Sequence, residues 1–243
     1  MWKSALFVLA GCRQVFGLDD PTALKQDAFV QHDANRVADV RSPDAPSSLD
    51  TGLVFNYPLD AVTQNQIVDQ IHGYNLSCNN CPIAVPSPHT DALEFSTSEN
   101  ANGMLGHTAT IAPPFTLAVW IDIEHQPSSG MTGVAVATQS FSIAYTTQKL
   151  ALQFNNNVNP GDIGAYPVGG WQHVAITFDG LMFQIFLGGV ASGAISPADG
   201  SITLTSLALA SGMDTKGIVA LDELRGYNRI LTADEISLLA GTH

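Results

Sequence analysis

The chain has 243 residues, enough for one large domain plus appendages. Hydrophobic residues make up 45% of it, ample for a core, and its 21 glycines and 13 prolines suit a turn-rich β protein. Lysine and arginine total 9 against 22 aspartates and glutamates, a net charge of −13. That balance argues against nucleic acid as a partner, since a phosphate backbone needs clustered basic residues, and against adsorption to an anionic membrane face. Neutral glycans, basic partners and calcium stay open, beside plain solubility in an exported protein.

Lys3 precedes the apolar run Ala5-Leu6-Phe7-Val8-Leu9, which leads into Ala10-Gly11-Cys12. Residues 1–12 read as a very short export signal, well under the roughly 20 helical residues that cross a bilayer. Leu9-Ala10-Gly11-Cys12 resembles a bacterial lipobox. The resemblance implies cleavage before Cys12, lipidation at Cys12, and an exported protein lipid-anchored in the bacterial cell envelope. Contact with the membrane is then through that anchor alone. A chance cysteine after a few apolar residues, or a signal cut elsewhere, is the competing reading.

Residues 13–50 read as a disordered acidic tether. Asp19, Asp20, Asp27, Asp33, Asp39, Asp44 and Asp50 are interspersed with Pro21, Pro43 and Pro46. With few large apolar residues, little surface can be buried against the entropy of ordering. A short helix between about Ala23 and Val40 is the alternative.

Residues 51–243 carry short β runs separated by Gly, Pro, Asn and Ser clusters. Cys78 and Cys81 lie in the turn-rich Ser77-Cys78-Asn79-Asn80-Cys81-Pro82. Two cysteines cannot complete a four-ligand zinc site, and a thioredoxin-like motif would need a helix here. A local structural disulfide, Cys78 to Cys81, is the expectation in an oxidising envelope. From Phe115 to Glu124 the chain alternates, with Phe115, Leu117, Val119, Ile121 and Ile123 on one face and Thr116, Ala118, Trp120, Asp122 and Glu124 on the other. Val174, Ile176 and Phe178 alternate next. Leu181, Phe183, Ile185 and Leu187 follow across an Asp179-Gly180 hairpin turn. Ile202, Leu204, Leu207 and Leu209 mark a further strand region.

Such spacing without long helical patterns predicts two packed antiparallel sheets. One helix is expected at the end. Thr232-Ala233-Asp234-Glu235 is a capping box, Ile236, Leu238 and Leu239 give the helix an apolar side, and Gly241 can end it.

Two strings in the last third carry a family resemblance: Trp171-Gln172-His173-Val174-Ala175 through Asp179-Gly180, then Leu221-Asp222-Glu223-Leu224-Arg225-Gly226-Tyr227-Asn228-Arg229-Ile230-Leu231 with its helix. Upstream, Leu53 to Asp60, Asp69 to Tyr74, and Phe115 to Trp120 join them. In this order they resemble the laminin-G-like, concanavalin A-like jelly-roll family. The resemblance implies an all-β, two-sheet antiparallel jelly-roll sandwich with a short C-terminal helix. It also implies a binding module for carbohydrate or a cell-surface protein rather than an enzyme.

Laminarinase-type glycosidases share that architecture and carry a Glu-x-Asp-x-(x)-Glu strand. Here the corresponding run is Trp120-Ile121-Asp122-Ile123-Glu124. Retaining hydrolysis needs two carboxyl groups about 5 Å apart, one of them a nucleophile. Trp120 stands at the nucleophile's position and cannot attack an anomeric carbon, so the expectation is no catalytic residue. The runner-up is a glycoside hydrolase of that fold, and the third reading is a purely structural envelope module. The family also makes calcium the expected cofactor, with Asp60 and Asp222 as the metal candidates brought together by paired terminal strands. The alternative for Asp222 is a turn cap, or an ion pair with Arg225 or Arg229.

For a sugar, the stretch Asn155 to Tyr166 has the right chemistry: side-chain amides for hydroxyls and an aromatic ring for a pyranose face. Its ligand-binding candidates are Asn156, Asn157, Asp162 and Tyr166. An ordinary surface loop is the competing reading.

Overall fold

The computed structural model describes residues 49–96, 104–106, 110–126, 133–147, 149–154, 161–197, 202–210 and 217–241. The expectations at Cys12, Asn156 and Asn157, and those for the signal and nearly all of the tether, lie outside the described residues. Strands come first in chain order: β1 (Leu53–Tyr57), β2 (Gln66–Ile67), β3 (Leu76–Ser77), β4 (Ile83–Pro86), β5 (Asp91–Ser96), β6 (Met104–Gly106), β7 (Phe115–His125) and β8 (Gly133–Ala137). Then follow β9 (Phe141–Tyr145), β10 (Lys149–Phe154), β11 (Gly161–Ala165), β12 (Gln172–Phe178), β13 (Phe183–Leu187), β14 (Val190–Ile195), β15 (Leu207–Leu209), β16 (Ile218–Tyr227) and the helix α1 (Ala233–Gly241).

The strands form two antiparallel sheets of eight. The first runs β14-β13-β12-β7-β16-β5-β4, with β1 also paired to β16. The second runs β11-β10-β9-β8-β15-β6-β3-β2. Their facing sides enclose one apolar core. It includes Leu93, Leu117, Val119, Ile121, Val174, Ile176 and Leu221 from the first sheet and Phe141, Ile143, Leu150, Leu152 and Leu209 from the second. Period-two alternation sets which side chains enter it. This is the sandwich of two antiparallel sheets that the strand spacing predicts, and the jelly roll that the family resemblance implies.

The other face of the first sheet is covered as well. The helix α1 lays Ile236 and Leu239 over Ala118, Ala175, Phe186 and Tyr227, and Leu49 and Leu53 pack against the same cluster. β7 is therefore buried along both faces from Phe115 to Ile123. The capping box forms: Glu235 N–H donates to Thr232 Oγ1 at 3.3 Å, and Thr232 N–H donates to Glu235 Oε2 at 2.8 Å. Both satisfy N–H groups that a helix start leaves without intrahelical partners.

One irregularity decides what β16 presents outward. Asp222 lies opposite Trp120 but Arg225 opposite Ala118, so β16 holds one extra residue there. Glu223 takes the left-handed conformation, with φ 51°, and its N–H donates to the Pro58 carbonyl at 3.2 Å. This is a β-bulge. It turns Leu224 into the core while Asp222 stays on the outer face with Arg225.

Two local expectations change in the fold. The stretch from Asn155 to Tyr166 is not a loop throughout, because Gly161–Ala165 is a strand paired with β10. Leu181 is no core residue. It sits 77% exposed in the connection between β12 and β13, where Asp179 Oδ1 accepts the N–H groups of Leu181 and Met182 and shapes the turn.

Candidate functional site

The outer face of the first sheet gathers the polar side chains. In register across three strands lie His173 on β12, Trp120 on β7 and Asp222 on β16. The loop after β4 closes over them. Its His89 ring meets Trp120 edge-on at 5.4 Å between centroids, and the His173 ring meets Trp120 at 5.3 Å. Trp120 is only 7% exposed. Beside it a small cleft opens between sheet and helix, lined by Ala118, Trp120, His173, Glu223, Arg225 and Leu239. Arg225 holds Glu223 through Nη2 at 2.5 Å, so the cleft wall carries a paired charge.

Asp222 is 1% exposed. Ser87 Oγ donates to its Oδ2 at 2.8 Å, while its Oδ1 is buried without a hydrogen bond of normal geometry. Burial pushes its pKa up to about 7. The Ser87 hydroxyl opposes that rise, and the nearby Glu223 and Asp60 charges add to it. The same loop reaches Asp60, where Thr90 Oγ1 donates to Oδ1 at 2.6 Å. Strands β1 and β16 do pair, and the Asp60 charge reaches Asp222. The ion-pair alternative for Asp222 is not seen among the described residues: Arg225 pairs with Glu223, and Arg229 with Glu235.

Further along the same face stand Glu94 on β5 and Asp122 and Glu124 on β7. Burial raises the pKa of Glu94, and the Glu124 charge adds to the rise while His125 opposes it. Asp122 is raised by burial and by Glu124, against a hydrogen bond from the Gly170 backbone.

The sugar candidates fare differently. Asp162 projects from β11 and forms an exposed ion pair with Lys149. The Tyr166 ring is partly buried against the core, and its hydroxyl donates to the Thr146 carbonyl at 2.6 Å. It is a packing residue there rather than an open aromatic platform. Cys78 and Cys81 form the expected disulfide. Among the described residues no three His, Cys, Asp or Glu side chains converge closely enough to hold one metal ion. Sequence reasoning missed Ser87, His89 and Thr90, because nothing local ties them to Asp222, 135 residues on. It also missed Glu94, whose outward phase was legible from Leu93 and Phe95 on either side.

A family model described as the concanavalin A-like lectin/glucanases superfamily matches residues 97–237. No curated protein matches the sequence. Among solved structures, the binding domain of Paraclostridial Mosquitocidal Protein 1 aligns with TM-score 0.65 and 15% identity, over 79% of this chain and 52% of that one. The binding domain of Botulinum neurotoxin DC, solved in complex with rat synaptotagmin II, gives TM-score 0.62 and 15% identity, over 81% and 52%. A Trypanosoma rangeli sialidase gives TM-score 0.58 and 15% identity, over 80% of this chain and 33% of that one. The chain thus spans about half the length of the toxin domains it resembles. At such identities these structures speak to the fold. The family model covers more than half of the residues, and the chain belongs to the concanavalin A-like lectin/glucanase superfamily.

Proposed function

We propose that the chain is a non-catalytic binding module of the bacterial cell envelope that recognises carbohydrate or a surface protein. The observation that carries this reading is Trp120. It fills the position where a glycosidase of this fold has its nucleophile, and it is packed against His89 and His173 under the loop after β4. Proteins similar in fold include toxin binding domains, one solved in complex with rat synaptotagmin II. Cys12 would anchor the module, and a Cys12→Ser protein should then leave the membrane fraction.

The cleft beside Trp120 is the favoured contact surface, and Asp162, with Asn156 and Asn157 from the same Asn-rich stretch of sequence, supplies the second candidate. Asp60 and Asp222 fit a weak calcium site. Calcium takes six to eight oxygen ligands, and the buried, unsatisfied Oδ1 of Asp222 is the kind of oxygen a cation would take. Ser87 and Thr90 add hydroxyls beside the two carboxylates. A bound calcium would supply positive charge that keeps Asp222 ionised.

The test is binding of the purified chain to a polysaccharide panel, with calcium and with chelator, while released sugar is assayed. Retention on a defined glycan without product supports the module. Product release abolished by Glu124→Gln would instead establish a glycoside hydrolase. That is the second reading, which Asp122 and Glu124 favour by sharing one face. Retention on no glycan shifts the ligand to a surface protein, or leaves a structural envelope module.

A further inference from the structure

We infer that the cleft between the first sheet and α1 seats the acetamido group of a neutral N-acetylated hexosamine, with Glu223 and Arg225 as the pair that recognises its amide. This deepens the carbohydrate reading and rests on it.

The cleft joins two kinds of lining. Ala118, Trp120 and His173 close it beneath, all three buried in the sheet. Leu239 of α1 extends the apolar lining, and Glu223 and Arg225 supply the polar lining. The space between them takes a group about the size of a methyl or a water. The bulge of β16 sets the polar pair in place, with Glu223 in the left-handed conformation at φ 51°. The Arg225 and Glu223 side chains are 23% and 24% exposed, so a ligand can reach both. Donor and acceptor thus stand side by side. Arg225 uses Nη2 on Glu223 Oε2 and Nε on Asn56 Oδ1. A guanidinium carries further N–H groups to donate, and a carboxylate further lone pairs to accept.

An acetamido group answers each part of this lining. Its carbonyl oxygen accepts from Arg225, its N–H donates to Glu223, and its methyl covers Leu239 and Ala118. A hydroxyl in its place would satisfy the polar pair and leave the apolar lining bare. A free ammonium would meet the like charge of Arg225. A peptide amide continues as a chain in both directions, whereas an acetamido group ends in a methyl, as a small cleft closed beneath requires. The polar row also runs on past the cleft. Asn56, which accepts from Arg225, donates through Nδ2 to Gln70 Oε1 at 3.1 Å, and Gln70 is exposed. These planar amides suit the hydroxyls of the ring that carries the acetamido group. The net charge of −13 repels anionic glycans at long range, which selects a neutral unit.

The experiment is calorimetric titration of the full chain with a β-1,4-linked N-acetylglucosamine tetramer, its N-propionylated counterpart, a β-1,4-linked glucose tetramer and tetraalanine. The N-acetylated tetramer should bind at least about tenfold more tightly than each of the others. The propionyl group is one methylene too long for the cleft, a difference worth about tenfold or more, and this arm needs no variant. Glu223→Gly removes the acceptor at a left-handed position that glycine adopts without strain, so the fold should persist, as thermal unfolding would show. It should bring the N-acetylated tetramer down to the level of the glucose tetramer. Equal binding of the acetyl and propionyl tetramers, or a preference unchanged in Glu223→Gly, would overturn the inference. Equal binding of the glucose tetramer would also overturn it, while leaving the carbohydrate reading standing. Binding of tetraalanine alone would move the cleft to a protein partner, and binding of none of the four would count against this site and the carbohydrate reading together.

Discussion

Ser87 and Asp222, 135 residues apart, are joined by a 2.8 Å hydrogen bond from Ser87 Oγ to Asp222 Oδ2, and it ties the loop after β4 to the bulge of β16. Asp222 keeps its proton in the fold to about pH 7, against about 3.9 in an unfolded chain. Its contribution to stability is therefore whole below about pH 4 and is lost as pH rises through 7. We expect Asp222→Asn to unfold at a higher temperature than the unaltered chain at pH 8, by up to about 4 kcal/mol in stability. The gap should shrink as pH falls toward 4. Thermal unfolding at a series of pH values reads this directly. An unchanged slope between pH 4 and 8 would assign the titration to another group.

The same carboxylate sets the expectation for calcium. An ion beside Asp60 and Asp222 stabilises only a site that is ionised. Calcium at about a hundred times its dissociation constant should add roughly 2.7 kcal/mol. That gain should appear at pH 8 and fade at pH 5, where Asp222 is protonated. It should vanish in Asp222→Asn. A calcium shift that survives this substitution places the ion elsewhere on the chain.

Gly226 is required by a close approach. A methyl group there would lie 2.2 Å from Cζ of Phe55, a fully buried ring on β1. Gly226→Ala should cost about 1–3 kcal/mol through overpacking. Shortening the ring in Gly226→Ala with Phe55→Leu should recover part of the loss, a coupling that a double-mutant cycle measures. Strictly additive losses would mean that the clash is relieved by backbone movement instead.

Much of this fold is legible residue by residue. Phe115 to Ile123 alternate because one face meets the core, and the Asp179-Gly180 turn is readable from its own backbone chemistry. The site was harder to see. Asp222 stood out within its motif, but its partner Ser87 lies in a loop whose polar residues look like any turn. Only the strand order, with β5 and β7 flanking β16, brings Glu94 opposite Asp122. Tyr166 misled for a related reason: an aromatic in an Asn-rich stretch reads as exposed until β11 pairs with β10 and folds its ring against the core. Local pattern reports which face a residue takes, while neighbours distant in sequence follow from topology.

The start of the helix gives a second pH dependence, of opposite sign to that of Asp222. Glu235 accepts Arg229 Nη1 at 2.9 Å and Nη2 at 2.8 Å, one to each oxygen, and also the Thr232 N–H. The Arg229 hydrogen bonds, foremost, hold its pKa down at about 2. The unfolded value is near 4.3, so this stabilisation is present above about pH 4 and is lost as pH falls toward 2. Glu235→Gln should cost about 1 kcal/mol at neutral pH and flatten the acid side of the stability curve. Thr232→Ala, which removes the cap but leaves the ion pair, should cost about as much without flattening it. Arg229 also donates to the Thr51 carbonyl at 2.7 Å, so loss of the ion pair should loosen the entry into β1 as well as the helix. Hydrogen exchange at Leu53 and at Glu235 would show both losses together if Arg229 couples them, and only the second if it does not.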